Sequence, residues 1–327
     1  MKFINVCGYG NTGCTVQADY LSDYEGVYGA LSDKNRNQQV TKAPYQEFGI
    51  LKCLFSIGGM VINKLHQLDK SITVNEINYS LNGKPFQDIK DCGHGALIHL
   101  NKRAELAQEL GASYQSVINK VCKEFPKNYE SLNLLDTYKA AKEMQSIWCQ
   151  GVYSIKAEAL KNNTSKTLIL GLKNDPTGAY PLLSSLIPNG ITSAILRHPF
   201  DTCWDFNRHY KIDITKNTVI AHCKHYNSQL NAARSQIQKY RELIGNHYFV
   251  HEFEKFVTTP SARDLYRTKM IGLDRLQVNH YFRSEDSSKN IGIHTALDQK
   301  YLDIIESECL PNYNNFKELL KSEDMFL

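Results

Sequence analysis

The stretch "FINVC" running directly into "GYGNTGCT", residues 3–15, limits the architecture of this chain more than any other. A largely apolar run entering a glycine turn reads as a buried strand. In "TVQADYLSDY" that follows, Val16 and Tyr20, with Leu21 and Tyr24 close by, recur at helical spacing. Against the phosphate-loop pattern G-x-x-x-x-G-K-[ST], Gly8, Gly13 and Thr15 fall in register, while Cys14 holds the place of the lysine that neutralises terminal phosphates. Gly8, Gly10 and Gly13 allow several backbone N–H groups to aim at one point, and the N-terminus of the next helix adds about half a positive charge there. An anion suits that point. A tight strand-to-helix turn with no ligand accounts for the same eight residues, and both readings stay open.

The remaining chain extends the strand–helix theme. From about residue 50 to 163 the apolar spacing is helical, in "ILKCLFSIGGMVINKLHQL", "RAELAQELGASYQSVINKVCKEF" and "NLLDTYKAAKEMQSIWCQGVYSIKAEAL". This is read as a large helical insertion. "TLILGL" and "TSAILR" are short apolar runs of the kind buried in parallel sheets, with "YPLLSSLIPNG" as a short crossover helix between them. "NTVIAHC" reads as a further strand before the amphipathic "NSQLNAARSQIQKYRELIG", and "HYFVHEF" as one more before a helix-rich C-terminus. The expected fold is one α/β domain over residues 1–327, a P-loop-like parallel sheet flanked by helices.

Composition narrows the partners. The net charge of +4 over 327 residues suits anionic ligands and falls short of a nucleic-acid-binding stripe. No apolar run reaches membrane-span length, so no integral membrane segment is expected. Nine cysteines with no C-x-x-C pair fit a reducing interior, which gives a cytoplasmic expectation.

Four segments then carry a resemblance to the sulfotransferase superfamily, most like the bacterial carbohydrate enzymes. "GYGNTGCT" is similar to the loop that cradles the 5′-phosphosulfate of 3′-phosphoadenosine 5′-phosphosulfate (PAPS), which assigns Gly10, Asn11, Thr12, Gly13, Cys14 and Thr15 to the donor. "LKNDPTGAYPLLSSLIPNGITSAILRHPFD" resembles the segment ending in Arg-x-Pro-x-Asp, matched by Arg197, Pro199 and Asp201. The resemblance implies that Arg197 binds the donor's 3′-phosphate, as guanidinium forks suit phosphate oxygens. "YFVHEFEKFVTTPSARDLYRTKMIGL" is similar to the family's strand, corner and closing helix through Phe253, Glu254, Lys255, Phe256, Pro260 and Gly272. "SSKNIGIHTALDQKYLDIIESECLPNY" looks like the C-terminal phosphate loop and last helix, and implies donor contacts from Lys289 and Gly292, with Tyr313 ending the pattern.

By the same resemblance Lys173 stands where many cytosolic members keep a catalytic cation. The acceptor, a hydroxyl of a glycan or related molecule, needs a base. "YQEF" resembles the motif carrying the catalytic glutamate of carbohydrate sulfotransferases and offers Glu47; Asp175 stands where cytosolic members have histidine. Two departures accompany these matches. Asn11 replaces the loop's basic residue, and Asp205 replaces the serine eight positions after Arg197, where its charge would repel a 3′-phosphate unless it turns away. These departures keep two other readings open: transfer of a different phosphate-linked group, or a catalytically silent nucleotide-binding protein. No metal is expected: His222, Cys223 and His225 lack a second ligand group at zinc spacing, and Cys92, His94 and His99 suit sugar contact or helix capping equally.

Overall fold

The computed structural model describes residues 2–9, 13–29, 53–68, 111–128, 131–160, 167–173 and 180–327. Within them five strands form one parallel sheet: β1 (Lys2–Gly8), β2 (Val27–Gly29), β3 (Ile169–Lys173), β4 (Gly190–Leu196) and β5 (Tyr248–Glu252), in the order β2-β3-β1-β4-β5. β1 is central, with Val6 opposite Lys173 on one side and Gly8 opposite Ile195 on the other. The short edge strand "VYG" escapes sequence patterning because three residues show no periodicity.

Alternating residues of each strand are buried on both faces, as parallel sheets require. Phe3, Cys7, Leu170, Ala194, Leu196, Tyr248 and Val250 face one layer. Ile4, Val6, Ile169, Ile195 and Phe249 face the other. The second layer is formed by α1 (Cys14–Ser22) together with two helices after β5, α7 (Phe253–Thr258) and α8 (Pro260–Met270). The helical middle, α2 (Cys53–Leu68), α3 (Gly111–Lys123) and α4 (Leu134–Ala159), packs into the first layer: Trp148 of α4 is fully buried with its ring 6.1 Å from that of Phe3. The crossover before β4 is a 3-10 turn over Pro181–Leu186, wholly buried.

One element differs in kind from its sequence reading. "NTVIAHC" is not a strand; it opens the long helix α6 (Lys216–Ile244), after α5 (Pro199–Tyr210). The start is fixed by a reciprocal cap. Thr215 Oγ1 accepts from Thr218 N–H at 3.2 Å, and Thr218 Oγ1 accepts from Thr215 N–H at 2.9 Å. Val219, Cys223, Tyr226, Leu230, Ala233 and Ile237 then form one buried stripe facing the core, a period of three to four that continues into the following helical pattern. A three-residue apolar run cannot tell strand from buried helix, and here the cap and the longer stripe decide.

The C-terminal portion contains α9 (Ser284–Ser288), a 3-10 turn over Ile293–Ala296, and α10 (Gln299–Ser322). α10 is drawn onto the end of β5 through Glu252, whose carboxylate accepts from Tyr313 Oη at 3.1 Å, pairs with Lys255 at 2.9 Å, and meets the Lys317 ammonium. Burial pushes the Glu252 pKa up, but the two ammonium groups outweigh it and hold the group below the usual glutamate range.

Candidate functional site

The topology selects one place for a ligand. β1 continues through α1 towards β2 on one flank, whereas β4 continues through α5 and α6 towards β5 on the other. The connections therefore part above the carboxyl ends of β1 and β4, the switch point at which open parallel sheets form a crevice. Gly8 at the end of β1 and Arg197 after Leu196 at the end of β4 stand at this switch point.

Gly13 closes the loop and caps α1 in the left-handed conformation, with φ 88°. Its carbonyl accepts from Val16 N–H at 3.0 Å. Glycine is required twice over: a Cβ here would carry left-handed strain and would lie 2.6 Å from the Phe253 ring. Cys14 and Thr15 form the first turn of α1, which contains no acidic side chain. Gly10, Asn11, Thr12, Glu47 and Asp175 lie outside the described residues. Lys173 ends β3 at the same edge of the sheet, its backbone opposite Val6.

Behind Gly13, a buried polar chain fixes the root of α1. Gln17 donates to His251 Nε2 at 3.0 Å, which leaves the ring proton on Nδ1 towards Ser193 Oγ at 3.4 Å. The Tyr266 hydroxyl reaches Gln17 Oε1 at 3.5 Å, consistent with that orientation of the amide.

Arg197 is 1% exposed, the deepest guanidinium among the described residues. Its Nη1 donates to Asp205 Oδ2 at 2.8 Å and its Nη2 to the Asn290 carbonyl at 2.5 Å. The guanidinium lies 4.9 Å from the centre of the Phe253 ring, the same ring that packs on Gly13. Arg197 and the loop are thus joined through one aromatic side chain. Two neighbours carry displaced pKa values. Burial raises the Glu254 carboxyl, although it accepts from His198 N–H at 3.0 Å, and burial lowers His198.

Asp201 has a role that motif matching did not supply. Buried to 2% exposure, its Oδ2 accepts from Gly292 N–H at 2.9 Å, while its Oδ1 accepts from His294 N–H at 3.0 Å and meets His294 Nδ1 at 2.6 Å. Gly292 adopts φ 73°, which turns its N–H onto this carboxylate. Asp201 therefore holds the segment that delivers Asn290 to Arg197. Lys289, by contrast, is 72% exposed and paired with Asp286 at 2.8 Å. Asp201→Ala is expected to cost about 2–3 kcal/mol in urea unfolding, because a buried charged acceptor leaves behind donors without partners. Asp201→Asn keeps an acceptor and should cost less. A loss below about 0.5 kcal/mol for the alanine variant would mean that the clamp contributes nothing.

The cysteine–histidine group lies on α6, where the ring of His222 is buried among aromatic side chains. His222 stacks near Tyr226 at 6.2 Å and lies 5.3 Å from Phe206. Among the described residues, no group of three or more potential ligands could hold a metal ion. None of the described helices is long and apolar enough to cross a membrane.

The geometry defines a class: a parallel α/β protein with a left-handed glycine cap on its first helix and a buried arginine at one switch point. No protein-family model matches the chain, and no curated protein matches it. Among solved structures, it is similar to a sulfotransferase domain from the curacin biosynthetic pathway, at 10% identity and a TM-score of 0.39, over 98% of this chain and 97% of that one.

Proposed function

We propose that the chain is a transferase that binds a nucleotide-linked anionic donor in the crevice between β1 and β4 and delivers a sulfuryl group to a hydroxyl of a glycan or related acceptor. The observation that carries the donor site is the left-handed Gly13 cap of α1 at the switch point, packed on Phe253, since it sets the backbone donors of the first turn of α1 beside the carboxyl end of β1. The sulfuryl chemistry rests on the four sequence segments that resemble sulfotransferases, in order from residue 3 to residue 313.

In this reading the loop of residues 10–15 holds the 5′-phosphosulfate end of the donor. Lys173 neutralises charge developing on the leaving phosphate oxygen as the sulfur–oxygen bond breaks. Glu47 takes the acceptor's proton as the new bond forms, with Asp175 as the second candidate base. The helical middle shapes the acceptor side. PAPS is the donor that the resemblance implies, but its 3′-phosphate meets an Arg197 whose two terminal nitrogens already have partners. The proposed reaction therefore draws nothing from a 3′-phosphate.

A thermal-shift screen with adenosine 3′,5′-bisphosphate, ADP, CDP and UDP tests the donor site. A ligand present at 100 times its Kd stabilises the native state by about 2.7 kcal/mol, enough to move the melting temperature by a few degrees. At least one of the four is expected to do so. If none does, the nucleotide-donor reading is wrong and a silent scaffold replaces it.

A further inference from the structure

We infer that Asp205 occupies the place of a donor phosphate on Arg197, so that the donor is a nucleoside 5′-phosphosulfate with a free 3′-hydroxyl. The inference rests on the proposed transferase reading and specifies its donor.

A buried arginine in a ligand crevice normally waits for an anion, because its desolvated charge needs one. Here the anion is part of the chain. Asp205 lies two turns along α5, the helix that begins two residues after Arg197, and this spacing returns its carboxylate to the guanidinium at 2.8 Å. The second terminal nitrogen is taken by the Asn290 carbonyl, held there through the Asp201 clamp, and the ring of Phe253 lies against the guanidinium.

The asymmetry of exposure adds to this. The Arg197 side chain is 1% exposed and that of Asp205 31%, so the carboxylate sits on the solvent side of the pair, where an incoming phosphate would have to bind. Together the two groups carry no net charge. A 3′-phosphate arriving at this wall meets the carboxylate first and gains no uncompensated cation. Lys289, the other cation on the segment facing Arg197, is already paired with Asp286 in solvent. Gly13 at the N-terminus of α1 meets the Phe253 ring and makes no use of the Arg197–Asp205 pair in holding a 5′-phosphosulfate.

The test compares two ligands that differ only in the 3′-phosphate. AMP and adenosine 3′,5′-bisphosphate are titrated calorimetrically into the full-length wild type, Asp205→Ser and Asp205→Asn; if the thermal-shift screen selects another base, the corresponding nucleoside pair is used. Wild type is expected to favour the bisphosphate by less than about fivefold. Both substitutions should raise that preference by about tenfold or more, as a freed charged donor on a phosphate does, while leaving monophosphate affinity unchanged. The asparagine variant preserves the shape of the side chain and decides the matter if the serine variant is poorly folded. A wild-type preference above about fivefold, or a ratio unmoved by either substitution, overturns the inference while leaving the transferase reading intact. Absence of binding by any nucleotide to any of the three proteins removes that reading, and the inference with it.

Discussion

Between pH 7 and pH 5 the folded protein is expected to lose about 4 kcal/mol of stability through two buried histidines. Burial holds His251 down to about 3, and burial followed by the charge of neighbouring His225 holds His222 down to about 4. In the unfolded chain both rings titrate near the ordinary histidine value of about 6.5. A depressed folded pKa means that the unfolded state binds protons first. The stabilisation is thus complete above about pH 6.5 and falls by up to about 1.4 kcal/mol per pH unit for each ring as pH drops towards the folded value. His198 and His225, also lowered by burial, act in the same direction. Asp23 opposes them. Burial raises it to about 6, so its ionisation burdens the folded state above that pH and the burden is relieved on acidification. Urea midpoints at pH 5, 6 and 7 measure the sum. His251→Gln should reduce the slope below pH 6 by about one proton, and a slope identical to wild type would show that His251 does not titrate as its burial requires.

Lys173→Ala is expected to lower turnover on the order of 10²–10³-fold while weakening donor binding far less, if the proposed chemistry is correct. β3 ends at Lys173 beside the carboxyl end of β1, the edge from which a cation could meet charge appearing on the leaving oxygen. An interaction made only in the transition state is lost from kcat and not from ground-state affinity. Glu47→Gln should show the same separation, and Asp175→Asn the smaller effect. Single-turnover rates and the Kd of the nucleotide product distinguish the cases. A larger loss for Asp175→Asn would transfer the base to Asp175, and equal losses in affinity and rate would make Lys173 a binding residue.

The sequence by itself determined the parts of this protein that short-range physics encodes. The apolar runs around 3–7, 168–172 and 192–196 were read as strands buried on both faces, and β1, β3 and β4 are parallel neighbours. Gly13 could be read as a turn residue before a helix because only glycine enters the left-handed region without strain. Arg197 could be placed at a strand end. "NTVIAHC" went to the wrong element because its apolar run was too short to show a period, whereas the Thr215–Thr218 cap acts at a single turn and settles the helix start.

Tertiary structure alone decided how Arg197 is used. Its partners are eight and 93 residues away, and its aromatic neighbour Phe253 also meets Gly13, 240 positions earlier by their numbers. Sequence spacing could flag Asp205 as a charge near a phosphate position, but could not tell whether it turned towards the guanidinium or away from it. That depended on the pitch of α5 and on Asp201 drawing the Gly292 segment against the helix. A buried cation must be matched by whatever anion the closed structure brings nearest. Here the closed structure brings its own carboxylate.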